Sequence, residues 1–268
     1  MFASEPGCGV KQPPHRDGRK DGVVAIVTAI PEEFHAIAER VSGPQRRRPG
    51  RGDRGFLLRG RMAGAQVLLL ASGDGAARAS ASVSFLLGES PVSLLIGAGA
   101  AGALGPSLRA GEILVAARVV DAQGDAPLSD AGWISRAVAL GARPATFVTS
   151  DRPVTSSREK GEAALRFGVG QPTDAVVDME SAAWARAATG RGVPFVLLRA
   201  VSDTFEDELP AFLSSCLSAD GSVNRAAVAR RLVFRPGALP VLLRARKRVR
   251  EGAGALGLFL ERLLAEKI

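Results

Sequence analysis

From residue 23 to about residue 203 short apolar runs alternate with stretches of helical character, and this alternation limits the fold more than any other feature of the chain. Residues 23–29 (VVAIVTA) form a β-branched, uncharged run, which predicts a buried strand. Pro31 then opens a helix to about residue 41. Proline suits a first helical turn, and Glu32 and Glu33 lie at the positive end of the helix dipole. Residues 43–55 are rich in Arg, Gly and Pro and predict an exposed loop. Strands follow at 56–60 and 66–71, joined near Ala63 and Gly64. Residues 72–75 (SGDG) predict a turn, and a helix of small residues runs from there to about Gly88. Further strands are predicted at 92–96, 112–120, 146–149, 175–177 and 195–201, and helices at 131–140, 156–167 and 180–190. Residues 97–105 read as a glycine-rich loop, and helices fill 223–233 and 241–264.

Such a pattern predicts an α/β fold: a single domain with a mixed, mainly parallel central sheet flanked by helices. The domain spans residues 22–268, of which 204–268 are a helical C-terminal extension. Residues 1–21 contain Pro, Arg and Lys but no apolar run, so they predict a disordered leader and not a signal peptide.

Composition narrows the function. Apolar residues make up 46% of the chain, enough for a substantial core. The formal net charge of +8 suits an anionic ligand, a nucleic acid or an anionic membrane, and it also follows from codon bias. Single-stranded nucleic-acid binders use aromatic stacking platforms. Here aromatics are 5% of residues and Tyr is absent, so no nucleic-acid partner is expected. Two cysteines (Cys8, Cys216) and two histidines (His15, His35) provide neither a disulfide framework nor a typical His-based metal site. A cytoplasmic setting without metal is the expectation. No uncharged apolar run reaches transmembrane length.

Gly97-Ala98-Gly99-Ala100-Ala101-Gly102 satisfies the G-x-G-x-x-G pattern of dinucleotide sites. That reading requires a helix directly afterwards to receive the pyrophosphate. Pro106 and Gly111 interrupt the next segment, which leads into a strand, so a tight turn is the better reading.

Four carboxylates lie where predicted strands end: Glu33, Asp178, Glu180 and Asp203. Open α/β sheets bind ligands at the carboxyl ends of their strands. Each residue alone reads more simply as a helix cap or a dipole partner. Together they form a set able to protonate a leaving group, align sugar hydroxyls and activate water, the three requirements of N-glycoside cleavage.

Four segments carry a resemblance to the nucleoside phosphorylase/nucleosidase superfamily, nearest its methylthioadenosine/adenosylhomocysteine nucleosidase branch. They are AIVTAIPEEF, SGDG, GAGAAGALGPSLRAGEILVA and VVDMESAAWARAATGRGVPFVLLRAVSD. The resemblance implies cleavage of the N-glycosidic bond of a purine nucleoside. It implies that Glu33 activates the attacking water and that Glu180 binds the ribose 2′- and 3′-hydroxyls with Met179 packed beside it. Asp203 would protonate the leaving base, supported by Ser202 and Arg199. Pro153 and Val154 match the segment that embraces the base, and Ser72 and Gly73 the loop that meets the sugar or the nucleophile.

The chain also departs from the family. Pro153 stands where many nucleosidases place an aromatic ring. Gly97 and Ala100 stand where hexameric phosphorylases hold phosphate with Arg and Ser. Water is therefore the expected nucleophile, with no cofactor. Inorganic phosphate as co-substrate remains the alternative, since backbone amides of residues 72–75 could hold it. A non-catalytic nucleoside sensor is a further one. The family implies a small-molecule nucleoside partner and a homo-oligomer.

The tail, with its ELP, DG and RPGALPVLL elements, resembles that of hopanoid-associated phosphorylases, which implies adenine release from adenosylhopane. Residues 241–264 intersperse Leu242, Leu243, Val249, Leu256, Leu258, Phe259, Leu263 and Leu264 with Arg244, Arg246, Lys247, Arg248, Arg250 and Arg262. Such a helix either packs its apolar face on the core or lies on an anionic membrane, which would place the protein peripherally on the inner membrane face.

Overall fold

The computed structural model describes residues 22–47, 56–169, 174–218 and 221–265. The leader expected at 1–21, and residues 48–55 of the expected loop, lie outside them. The elements run β1 (Val23–Thr28), α1 (Pro31–Ala38), β2 (Ser42–Arg47), β3 (Phe56–Met62), β4 (Ala65–Ala71) and α2 (Ala76–Glu89). Then come β5 (Val92–Ala103), β6 (Ile113–Asp121), β7 (Gly124–Asp125), α3 (Ala131–Ala139), β8 (Arg143–Thr149) and α4 (Ser157–Arg166). The chain closes with β9 (Ala175–Asp178), α5 (Ser181–Gly190), β10 (Phe195–Asp203), a 3-10 turn (Ala211–Ser215), α6 (Arg225–Phe234) and α7 (Leu239–Ala265).

The sheet is mixed. β5 is its centre and pairs in parallel with β1 and β10, while its last residues, Gly102 and Ala103, pair antiparallel with β9. β10 continues antiparallel to β6, and β6–β8 and β8–β9 are parallel. Strands β5, β10, β6, β8 and β9 therefore close into a ring. β1, β4, β3 and β2 extend from it as an open wing.

Strand alternation divides the core between two faces. Val23, Ala25 and Val27 of β1, with Leu197 and Val201 of β10, face Val83 and Leu86 of α2 and Trp184 of α5. Val24, Ile26, Val196 and Leu198 face Phe34 and Ile37 of α1 and the second half of α7. There Leu256, Leu260 and Leu263 are fully buried. Burying each such side chain stabilises the fold by about 1.5–3 kcal/mol relative to exposure. The first half of α7 leaves Leu239 and Leu243 exposed, so this helix is core at one end and surface at the other.

Two expectations need correction. Residues 97–105 are not a loop, because β5 runs unbroken to Ala103. A Cβ at Gly97 would lie 2.6 Å from Trp184 and Leu197, and one at Gly99 would lie 2.6 Å from Nη1 of Arg199. The glycines make room for large side chains from neighbouring elements, and that use leaves no apolar period to read. Residues 42–47 form strand β2, paired with β3 at the edge of the wing. Its described side chains are exposed, so the strand has no alternation of its own.

Candidate active site

The site is built where β1, β4, β9 and β10 end. After β1, Pro31 at the first helical position turns the chain into α1 and brings Glu33 back over the strand end. Glu33 Oε2 accepts the backbone N–H groups of Ala29 (3.0 Å) and Ile30 (3.2 Å), and Oε1 accepts that of Ala100 in β5 (2.8 Å). The side chain is buried. Burial pushes its carboxyl above the ordinary 4.5, opposed by the Ala100 hydrogen bond and the Arg199 charge.

Arg199 lies on the same face of β10 as Leu197 and Val201, yet it is charged and only 1% exposed. Its neighbours explain how it is tolerated there. Nε donates to Asp178 Oδ2 (2.9 Å), Nη2 donates to Ser181 Oγ (2.9 Å), and Glu180 Oε2 is 3.9 Å from Nη2. The guanidinium carbon stands 4.7 Å from the centroid of the Trp184 ring, a cation–π arrangement.

Asp178 ends β9 and caps α5. It accepts the N–H groups of Glu180 (3.1 Å) and Ser181 (3.0 Å), the Thr149 hydroxyl (3.1 Å) and the Ser181 hydroxyl. With these donors and Arg199 it is fully engaged as an anchor. Glu180 is held more loosely: Oε1 accepts the Gly75 N–H at 2.9 Å. Burial, aided by the charges of Asp178 and Glu33 and opposed by Arg199, pushes its carboxyl up to about 8. Met179, between the two, is half-buried.

The SGDG turn presents Gly75 to Glu180. Its glycines Gly73 and Gly75 have φ of 82° and 90°, which other residues rarely adopt. Ser72 is buried, and its hydroxyl lies 3.1 Å from the carbonyls of Thr28 and Gly73. Asp74 accepts the Val223 N–H at 2.5 Å, tying the turn to the C-terminal extension.

Asp203 forms the other end of the site. Ser202 Oγ donates to its Oδ1 (2.8 Å), and Lys160 Nζ of α4 stands 2.8 Å from its Oδ2. Gly102 passes so close that a Cβ there would lie 2.7 Å from Oδ2. Arg199, expected beside Asp203, instead makes its contacts with Asp178, Ser181, Glu180 and Trp184, and the cation on Asp203 is Lys160. Pro153 and Val154 precede α4. The Pro153 carbonyl accepts the Ser214 hydroxyl (3.1 Å), and Val154 packs against the cluster of Val148 and Ala164. Among the described residues no group of His, Cys, Asp and Glu is arranged to hold a metal ion.

A family model described as the phosphorylase superfamily matches residues 23–232, the whole sheet and most of α6. The chain belongs to the phosphorylase superfamily. The 5′-methylthioadenosine/S-adenosylhomocysteine nucleosidase of Actinobacillus succinogenes is 28% identical over 225 residues, covering 72% of this chain and 94% of that protein. Solved structures share the fold. The 5′-methylthioadenosine/S-adenosylhomocysteine nucleosidase of Neisseria meningitidis in complex with methylthio-immucillin-A superposes with a TM-score of 0.68 at 21% identity, covering 91% of this chain and 99% of that one. The futalosine hydrolase of Helicobacter pylori superposes with a TM-score of 0.69 at 17% identity, covering 93% and 100%.

Within this superfamily member, sequence reasoning missed Lys160, Ser181 and Thr149. Lys160 sits in a strongly polar helix in which only it and Ala164 are buried, so nothing in its local pattern separates it from a solvated lysine. Ser181 and Thr149 serve through Asp178, a contact no local pattern predicts.

Proposed function

We propose that this chain hydrolyses the N-glycosidic bond of an adenine nucleoside and releases the free base. One observation carries the choice of water over phosphate: the N–H groups of Ala29, Ile30 and Ala100 all donate to Glu33. These are donors an anion at that strand end would use, and they already hold the chain's own carboxylate. A second, doubly charged anion beside it would meet repulsion, whereas a water molecule there meets a base. The raised proton affinity of Glu33, caused by its burial, suits that task.

In this reading Glu180 binds the ribose hydroxyls. Asp203 gives its proton to the purine ring as the bond to the sugar breaks, and the sugar carbon develops positive charge. Water adds to that carbon and passes a proton to Glu33. The likeness to the nucleosidase of Actinobacillus succinogenes supports the reaction class.

The 5′ substituent we infer to be apolar, adenosylhopane being the candidate that the resemblance of the tail implies. A groove of about 360 Å³ lies beside Leu209, Pro210, Phe212 and Val241. Glu208 and Arg235 also line it, and it contains none of Glu33, Asp178, Glu180 and Asp203, but the Leu209 N–H donates to Thr155 O at 2.7 Å, which joins its wall to the segment that follows Val154.

We further propose that α6 and the first half of α7 rest on an anionic membrane. Val233, Phe234, Leu239 and Leu243 are exposed there. Residues 221–250 contain nine Lys or Arg and no Asp or Glu. Apolar side chains among arginines suit the headgroup boundary of anionic lipid, and no described helix is long and apolar enough to cross a membrane. Cosedimentation should show binding to phosphatidylglycerol vesicles and none to phosphatidylcholine, and Phe234→Asp should weaken it. A surface covered instead by a second copy would show as a dimer that Phe234→Asp dissociates, without vesicle binding.

The reaction is tested by chromatography of base release from methylthioadenosine, adenosylhomocysteine, inosine and adenosylhopane, with and without phosphate. Adenine release without phosphate is expected. Release that requires phosphate and yields a sugar 1-phosphate makes the chain a phosphorylase, and tight binding without release makes it a sensor.

A further inference from the structure

Lys160 is a fully buried ammonium in a helix whose neighbouring charges, Arg158 and Glu162, pair on the surface. A buried ammonium destabilises a fold by several kcal/mol unless it is paired and hydrogen-bonded. Lys160 meets that condition with all three of its donors. They reach Asp203 Oδ2 (2.8 Å), the Thr204 carbonyl (2.5 Å) and the Asp207 carbonyl (3.0 Å). The Asp207 carboxylate in turn accepts the N–H and hydroxyl of Thr204 (2.8 Å each) and Arg248 of α7 (2.5 Å). The loop after β10 is thus held from two sides, and Lys160 is its link to Asp203.

The two carbonyls would tie down that loop without Asp203. The third donor goes to Oδ2 while Ser202 donates to Oδ1, so each carboxyl oxygen has one fixed donor and the plane of the group is set. We propose that Lys160 is a positioning residue for the proton transfer to the leaving base. It orients the Asp203 carboxyl, and its charge stabilises the carboxylate that remains when the proton has moved to the purine and the bond to the sugar has broken. The inference rests on the reading of Asp203 as proton donor.

The test uses two leaving groups. Adenine leaves with a proton, whereas 4-nitrophenolate leaves as a stable anion and needs none. In the full-length protein, Lys160→Met should lower kcat on an adenine nucleoside by about 10²-fold or more, in the range of acid catalysis, with KM little changed. On a 4-nitrophenyl riboside with the same 5′ substituent the loss should stay below about tenfold, because no acid catalysis of that size is at stake. In an Asp203→Asn background Lys160→Met should bring no further loss on the nucleoside. Should Lys160→Met fold poorly, Lys160→Arg keeps the charge with altered reach and should show the same split at smaller amplitude. Equal losses on both substrates overturn the inference alone. A wild-type protein that releases neither adenine nor nitrophenol overturns the hydrolase reading and the inference with it.

Discussion

Two buried cations organise the two ends of the site in different ways. Arg199 faces three carboxylates, those of Asp178, Glu180 and Glu33, with few other charges to balance them. Lys160 faces one, that of Asp203, and completes its shell with carbonyls. At the first end burial outweighs the attraction of Arg199 and pushes Glu180 and Glu33 towards their protonated forms, with the charges of Asp178 and Glu33 adding to the effect at Glu180. Asp178, in direct contact with Arg199, is the anchor. At the second end one ammonium group faces one carboxyl group. The first arrangement raises the proton affinity of two buried carboxyls, and the second fixes the orientation of one.

The sharpest way to break this comparison is to neutralise one carboxylate at each end. Asp203→Asn and Glu33→Gln should each lower kcat on an adenine nucleoside by about 10²–10⁴-fold while the thermal midpoint stays near that of the wild type. With a 4-nitrophenyl riboside only Glu33→Gln should remain severely impaired, since water must still be activated. Near-normal turnover of Asp203→Asn in steady-state assays would remove the acid from that end of the site.

A smaller effect concerns stability and pH. The Glu180 carboxyl is raised from 4.5 to about 8 in the folded chain, so between those values the folded state holds a proton that the unfolded state has lost. Its contribution is fully present below about pH 4.5 and is lost as pH rises through about 8. Glu33, also raised, acts in the same direction. Urea unfolding across that range should show stability falling with pH, and Glu180→Gln should flatten the slope. An unchanged slope in that variant would show that the retained proton does not reside at Glu180.

The smallest effect belongs to Glu32, the sequence neighbour of Glu33. Its side chain is 16% exposed and pairs with Arg225 (3.3 Å) and Arg246 (3.2 Å) of the C-terminal helices, whose own side chains are well exposed. Such pairs contribute about 0.2–1 kcal/mol each. Glu32→Ala should cost about 1 kcal/mol in chemical denaturation and leave turnover unchanged, a control for what a carboxylate of this turn does when its partners are exposed arginines.

Much of this was legible beforehand. The apolar runs at β1, β4 and β10 report strands buried on both faces, because a side chain's preference for the interior is a local property. Glu33, Glu180 and Asp203 were also visible, since each follows such a run and so stands at a strand end, where an open sheet leaves space for a ligand. The partners of these groups were hidden. β5 passes through Gly97, Gly99 and Gly102, whose missing side chains are filled by Trp184, Arg199 and Asp203, so its length is written in other elements. Arg199 stands close enough in sequence to Asp203 to suggest a pair, but it points to Asp178, 21 residues earlier.

By itself, then, the sequence determined an alternating α/β domain and the carboxylates at its strand ends, because hydrophobic period and residue type act over a few neighbouring positions. Tertiary structure alone decided which cation serves which carboxylate, which strand carries the glycines, and which half of α7 is core. Those outcomes depend on desolvation and on donors met across the fold. Lys160 makes the point: its burial is tolerable only because Asp203 and the carbonyls of Thr204 and Asp207, more than forty residues away, converge on one ammonium group.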